Sequence, residues 1–544
     1  MGHPELVWAT RQIPEALAKQ TDFQRRHSRA RSSWDESSQP AWLTPELFSQ
    51  KIQLLLSNVA TSVIRSSIGV SRVTDLVASQ GLYCGESQCQ NPVMSVDLHP
   101  DACKRFDEVA TEILRQVQTR HPKSSSKATY IPDIQPKAQI KQGDIIGPIT
   151  NTTSIVDGRG VEVGRFIERD GYRVGLEGSA FEQLKKLASR LQECSVLRDV
   201  ISETFSLDAV FEWLIGRHQG GDSTELSKCF LEKVNSALID ATIWIPLYRV
   251  HLQSDITLGQ VTFKTITREF IDKWQAAAMS KSPDHRNSLQ QFFDQERARL
   301  QGACAAVVTI AGAEKARAVE IAREKALTAT SLLRFLSMAN RSPRLQSFCT
   351  LLGREAVYIN SELIFVGQGN IPQYVRSAEY SKQTAWIIDN NYISQMREVI
   401  RSLSTLATQE NQTPFKKTLL DALLLYSRNS VASDPADKLV YVMVALESVF
   451  LRNENEPIQK SVAERMAFVV GDSQAKRKAI ASNFAQTYSL RSSFVHHGNS
   501  IADLDVLEEF LVNAWSCFIG VLGTIERYRT KEELINALED RKFA

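Results

Sequence analysis

The run Tyr488-Ser-Leu-Arg491-Ser492-Ser-Phe-Val-His496-His497-Gly498 decides how the C-terminal part of this 544-residue chain is read. It closes a segment, Ala475 to His497, in which Ile480, Phe484, Tyr488 and Val495 recur at helical spacing and so mark one buried stripe of an α-helix. Gly498 suits the position after a helix end, because glycine adopts the left-handed conformation found there. Arg491 falls inside the stripe. A charged side chain is rarely buried without a partner, so Arg491 is ion-paired in a core, set at a subunit interface, or lining a cleft. At about 100° per residue, Arg491 and His496 stand about 140° apart on an ideal helix, too far round to hold one phosphate. Either the helix loosens near Gly498 or a second copy of the chain supplies the missing half.

These residue types suit one chemistry. RNA carries its own nucleophile, the ribose 2′-hydroxyl, so cleavage needs a group to take its proton, a charge to stabilise the phosphorus transition state, and a proton for the leaving oxygen. Histidine moves protons near neutral pH, and arginine holds phosphate with a planar, permanently charged fork. No metal or organic cofactor is expected in those roles. Spacing alone is a weak signal, since Arg115 and His121 show nearly the same interval in a setting that does not resemble a site. The structural alternative is a pair of histidines favouring the negative end of a helix, beside an arginine held in a core ion pair.

Three stretches carry a family resemblance: Asp437-Lys438-Leu-Val-Tyr-Val-Met-Val-Ala-Leu-Glu447-Ser, Val462-Ala-Glu-Arg465-Met-Ala, and Tyr488 through His496. Together they resemble the HEPN domains of the Apea-like group, an all-helical RNA-cleaving module of bacterial defence and toxin systems. The resemblance implies an all-α helical bundle over residues 411–544, acting as a metal-independent endoribonuclease by 2′-hydroxyl attack. It further implies that Arg491 and His496 are the catalytic pair of an Arg-x4-6-His motif, and that a homodimer forms through this domain around a shared groove. RNA is then the substrate, and the wider role is anti-phage defence with a phage-derived trigger. Tyr488, Ser492, His497, Glu447 and Arg465 are accessory candidates; Glu447 and Arg465 are expected to pair and brace the site. Two departures are visible. His497 separates His496 from Gly498, and Ser492 stands where many members carry asparagine, aspartate or histidine.

Composition narrows the rest. Hydrophobic residues make up 43% of the chain, enough for real cores, and a net charge of +2 means that any nucleic-acid surface is local. No stretch has the apolar length of a membrane span, the N-terminus lacks a signal-peptide pattern, and eight scattered cysteines suit a reducing compartment. A soluble cytoplasmic protein with no membrane partner is expected.

The expected fold class is multidomain, mainly α with a smaller β-containing middle region. Residues 1–121 read as helical, with a basic cluster from Arg25 to Arg31 taken as a solvated turn. Ile68-Gly69-Val70-Ser71, within 60–81, resembles the turn of a helix-turn-helix unit, although Asp75 and Ala78 fit that motif poorly. Cys84, Cys89, His99 and Cys103 form a weak zinc candidate, against a plain loop carrying thiols. Residues 122–137 read as a linker and 138–270 as a mixed β/α domain. Its strands cover Ile140 to Leu176, with Gly158, Gly160 and Gly164 read as turn residues rather than a dinucleotide loop. Helices follow over Ala180–Leu214 and Thr224–Ala241, then a strand pair formed by Ile243–His251 and Ile256–Ile266. Residues 271–410 are expected to be mainly helical, most amphipathic over Arg317–Leu336, with a strand pair within Ala356–Val366. Residues 138–410 offer no catalytic constellation and read as a sensor or regulatory body. Two rival readings remain: a non-catalytic HEPN protein serving dimerisation or RNA binding, and a helix-turn-helix DNA-binding regulator.

Overall fold

Helix starts in this chain follow local side-chain chemistry. Ser202, Thr413, Asp434, Ser473, Asp503 and Thr530 each accept a hydrogen bond from a backbone N–H two or three residues ahead. Such caps are worth about 1 kcal/mol each. Pro100, Pro414 and Pro435 open their helices where a missing N–H costs nothing.

The computed structural model describes residues 96–121, 152–169, 171–221, 223–281, 286–352, 359–365, 372–378, 385–408 and 412–542. These contain 15 α-helices. They divide into two compact units, one drawn from Gly69–Ile243 with Thr309–Glu324, the other from Trp244–Val308 with Lys325–Ala544.

In the first unit, α1 (Pro100–Leu114) leads to β1 (Gln118–Arg120), β2 (Thr152–Val156), β3 (Glu162–Arg169) and β4 (Tyr172–Glu177). Three helices follow: α2 (Ser179–Gln192), α3 (Glu203–His218) and α4 (Leu226–Ala237). The strands form an antiparallel sheet in the order β1-β4-β3-β2. Gly175 is required in β4, because a Cβ there would lie 2.0 Å from the Arg165 carbonyl oxygen. The helices enclose Ile113, Phe181, Leu184, Phe211, Leu214 and Phe230. Gly158 and Gly160 lie in the turn between β2 and β3, as read, whereas Gly164 is not a turn residue but lies within β3, paired with Ile155 and Glu177. One boundary needs correction. Residues 96–121 share this core and β1 pairs with β4, so a break at 122–137 does not set them apart from the chain that follows.

The chain continues with β5 (Ile239–Tyr248), β6 (Val250–Leu252), β7 (Ile256–Leu258), β8 (Val261–Thr265), α5 (Arg268–Lys281), α6 (Arg286–Leu300), β9 (Cys304–Ala313) and α7 (Lys315–Phe335), all in the second unit except Ile239–Ile243 and Thr309–Glu324. Beyond these come β10 (Thr350–Leu351), β11 (Ile359–Phe365), β12 (Pro372–Ala378), β13 (Trp386–Ile388), α8 (Asn390–Gln395) and α9 (Arg397–Ala407). A five-stranded sheet runs β10-β5-β9-β8-β7. The expected pairing of Ile243–His251 with Ile256–Ile266 is therefore wrong, because β9 lies between β5 and β8. Its first three residues, Cys304, Ala305 and Ala306, are all buried, and the alternation of buried and more exposed positions that follows is carried by small side chains of similar character. The hairpin β11–β12 has its first strand where a pair was expected, but its partner lies further on, at Pro372–Ala378.

From Pro414 onward every regular element is helical: α10 (Pro414–Tyr426), α11 (Pro435–Phe450), α12 (Ile458–Val470), α13 (Gln474–His497), α14 (Leu504–Leu522) and α15 (Lys531–Asp540). Leu439, Val442, Leu446, Met466, Phe484 and Phe510 are buried among them. Among the described residues no helix is long and apolar enough to cross a membrane.

Candidate functional site

The long helix α13 stays regular to its end. Gly498 takes the left-handed conformation at φ 67°, and its N–H donates to the Phe494 carbonyl at 2.9 Å. The helix does not loosen, so Arg491 and His496 remain about 140° apart on one copy. Of the expected stripe, Ile480 and Phe484 are buried while Tyr488, Arg491 and Val495 are half-buried. Asn483 and Thr487 complete its buried part. Ser492, His496 and His497 are exposed, with the two imidazole centroids 6.4 Å apart.

The Arg491 charge is felt by Glu447 of α11. Burial raises the Glu447 carboxyl above its ordinary value, and the Arg491 charge pulls it the other way. Both side chains are half-buried, and the Arg491 Nε and the Glu447 Oε1 are buried without a hydrogen-bond partner. The guanidinium also sits 5.7 Å from the Tyr488 ring centroid, within reach of a cation–π attraction. Arg491 is thus placed by an aromatic face and an opposing charge while its fork is not consumed by an ion pair. An arginine in that condition can take a phosphate oxygen.

The expected Glu447–Arg465 brace does not form. Arg465 is 3% exposed and donates to Glu456 at 2.7 and 2.9 Å, to Glu539 at 2.7 Å and to the Phe450 carbonyl. Hydrogen bonding to Arg465 lowers Glu456 to about 2. The partner from α15 lies far along the chain, which helical periodicity cannot reveal. Arg465 binds α12 to α15 and takes no part in the site.

A residue missed by sequence reasoning is Lys438. It is 1% exposed, and its ammonium donates to the carbonyls of Ala339, Leu345 and Asn429 at 3.1, 2.7 and 2.8 Å. Burial lowers it to about 8. Its sequence gives little signal, since it sits beside Asp437 at the start of the apolar run Leu439 to Leu446.

Of the zinc candidates, His99 caps α1 by accepting from the Asp101 N–H at 3.3 Å, and the Cys103 thiol donates to the Leu98 carbonyl at 3.9 Å. Cys84 and Cys89 lie outside the described residues, as do the basic cluster 25–31, the helix-turn-helix candidate 60–81 and the linker 122–137. Among the described residues no group of three or more His, Cys, Asp or Glu side chains is arranged to hold a metal ion.

No family model, no curated protein and no solved structure matches this chain.

Proposed function

We propose that residues 411–544 act as a HEPN-type endoribonuclease, with Arg491 as the phosphate-binding charge and His496 as the proton-transferring group. The observation that carries this reading is Arg491 itself: an arginine on a half-buried helix face, with an unpaired Nε, beside a carboxylate that does not bond to it. The motif resemblance supplies the reaction class. In that reaction the 2′-oxygen attacks phosphorus as it loses its proton, the 5′-oxygen leaves and is protonated, and a 2′,3′-cyclic phosphate results. Arg491 stabilises the charge that develops on the phosphoryl oxygens, and Glu447 orients Arg491. Because the two motif residues diverge on one regular helix, His496 is supplied by a second copy in a homodimer. The upstream residues then restrain the nuclease until a trigger arrives, in a bacterial anti-phage role that rests on the resemblance alone.

Purified protein should cut end-labelled RNA equally fast with and without EDTA, leaving cyclic phosphate ends. Cleavage abolished by EDTA and restored by magnesium contradicts this mechanism.

The exposed His496, on the far side of α13 from Arg491, favours a second reading in which the domain dimerises or binds RNA without cutting it. RNA retention without any cleavage would support that reading.

A further inference from the structure

Between α7 and β10 the chain runs from Leu336 to Cys349 with only one short regular element, the 3-10 turn Met338–Asn340. Irregular segments normally lie at the surface, because their backbone polar groups find few partners inside. This one is buried at both ends, with Ala339, Asn340, Arg341, Ser347 and Cys349 4%, 0%, 6%, 7% and 1% exposed, and only Arg344, Leu345 and Gln346 between them reach the surface. Its backbone is satisfied by side chains of the helices it crosses. Lys438 of α11 holds two of its carbonyls, those of Ala339 and Leu345, and the Tyr426 hydroxyl donates to the Asn340 carbonyl at 3.3 Å. Trp515 of α14 donates its indole N–H to the Phe335 carbonyl, just before the segment, at 3.1 Å. At the outer end Arg344 reaches Asp505 and Glu508 of α14, at 2.8 and 2.6 Å.

Two charges oppose this closed arrangement. Lys438 and Arg341 are both buried, and among the described residues neither meets a carboxylate. Arg341 lies over the Trp515 ring, 4.2 Å from its centroid, with its Nε buried and unpaired. Removing a cation from water has a cost that an acidic partner normally offsets, so opening the segment hydrates both groups and relieves it. The regular helices beneath hold their own backbone hydrogen bonds and gain nothing comparable by unfolding.

We propose that Leu336–Cys349 is a strap that opens as a unit from α11 and α14 while those helices stay folded, and that its release regulates the Glu447–Arg491 site, whose glutamate is on α11. The regulatory half rests on the ribonuclease reading; the opening does not.

Hydrogen exchange on the full-length chain tests the opening. In the wild-type protein, strap amides should exchange roughly tenfold or more faster than those in the middle of α11 and α14. Lys438→Met removes the buried charge but also the donor of two strap carbonyls, and because those buried acceptors are then unsatisfied it should speed the strap by a further factor of about ten and leave those helices unchanged. Strap amides that exchange in step with the helices in the wild-type protein, or that ignore Lys438→Met, overturn the proposal. Should Lys438→Met loosen the helices too, Arg344→Ala decides: it removes only the outer anchor, and unchanged strap exchange counts against opening. RNA cleavage by Arg344→Ala then reads regulation. A released strap with a wild-type cleavage rate overturns the regulatory half alone. If even the wild-type protein cuts no RNA, the ribonuclease reading and the regulation built on it fail together, and the exchange result still stands for the strap.

Discussion

Glu447 on α11 and Arg491 on α13 interact through their charges while the Glu447 Oε1 and the Arg491 Nε stay buried and unbonded. Burial is the larger influence on the carboxyl and raises it. A glutamate whose folded value lies above its unfolded value contributes stability at acid pH, and that contribution is lost as pH rises through the folded value. Above that value the charged Glu447 is therefore a cost to folding. Glu447→Gln should leave the melting temperature unchanged or raise it, while RNA cleavage falls by about tenfold, roughly 1.4 kcal/mol of lost positioning. Unchanged cleavage together with a lowered melting temperature would assign Glu447 a purely structural role.

The cluster of Arg465, Glu456 and Glu539 has the opposite sign. Glu456 is lowered to about 2, chiefly by its hydrogen bonds to Arg465, and Glu539 is lowered by the same arginine first. Their stabilisation is present above the ordinary carboxylate range and is lost as pH falls toward 2. Arg465→Met should cost about 1.5–3 kcal/mol at neutral pH, since it removes the donor of a buried carbonyl and leaves the two acids with Arg452 alone. It should also flatten the acid limb of the stability profile. Thermal unfolding of both proteins from pH 7 down to pH 3 checks this, and parallel pH profiles would contradict it.

Much of the C-terminal fold could be read along the chain because its signals are local. Thr413-Pro414, Asp434-Pro435 and Ser473 mark helix starts, and Gly498 ends α13 at the expected residue. The strand β9 was not legible, since its start is buried on both faces and its alternating part is made of small residues that differ little in polarity. Partners were harder still. Arg465 meets Glu539 and Lys438 meets Ala339 across long sequence separations, and nothing in the spacing of either residue names its partner. Arg491 was conspicuous as a charge in an apolar stripe, yet only the folded chain shows that its charge is felt by Glu447, while Arg465 is taken up by Glu456 and Glu539.

Assembly offers a separate test. Each site is expected to take Arg491 from one chain and His496 from the other, so inactive Arg491→Ala and His496→Ala proteins should complement when mixed. Random pairing makes half the dimers mixed, each with one intact site out of two, so about one quarter of wild-type activity should return. A fully active monomer, shown by sedimentation at the assay concentration, would rule out the composite site.

The most direct measurement is the RNA cleavage rate of His496→Ala and Arg491→Lys beside the wild-type protein, with melting temperatures recorded on the same samples. The account predicts that His496→Ala loses about a hundredfold or more in rate with its melting temperature nearly unchanged, since an exposed imidazole contributes little to packing. Arg491→Lys should fail as well, because lysine keeps the charge but not the fork that grips two phosphate oxygens. A stable His496→Ala protein that cuts RNA at the wild-type rate would contradict the central claim.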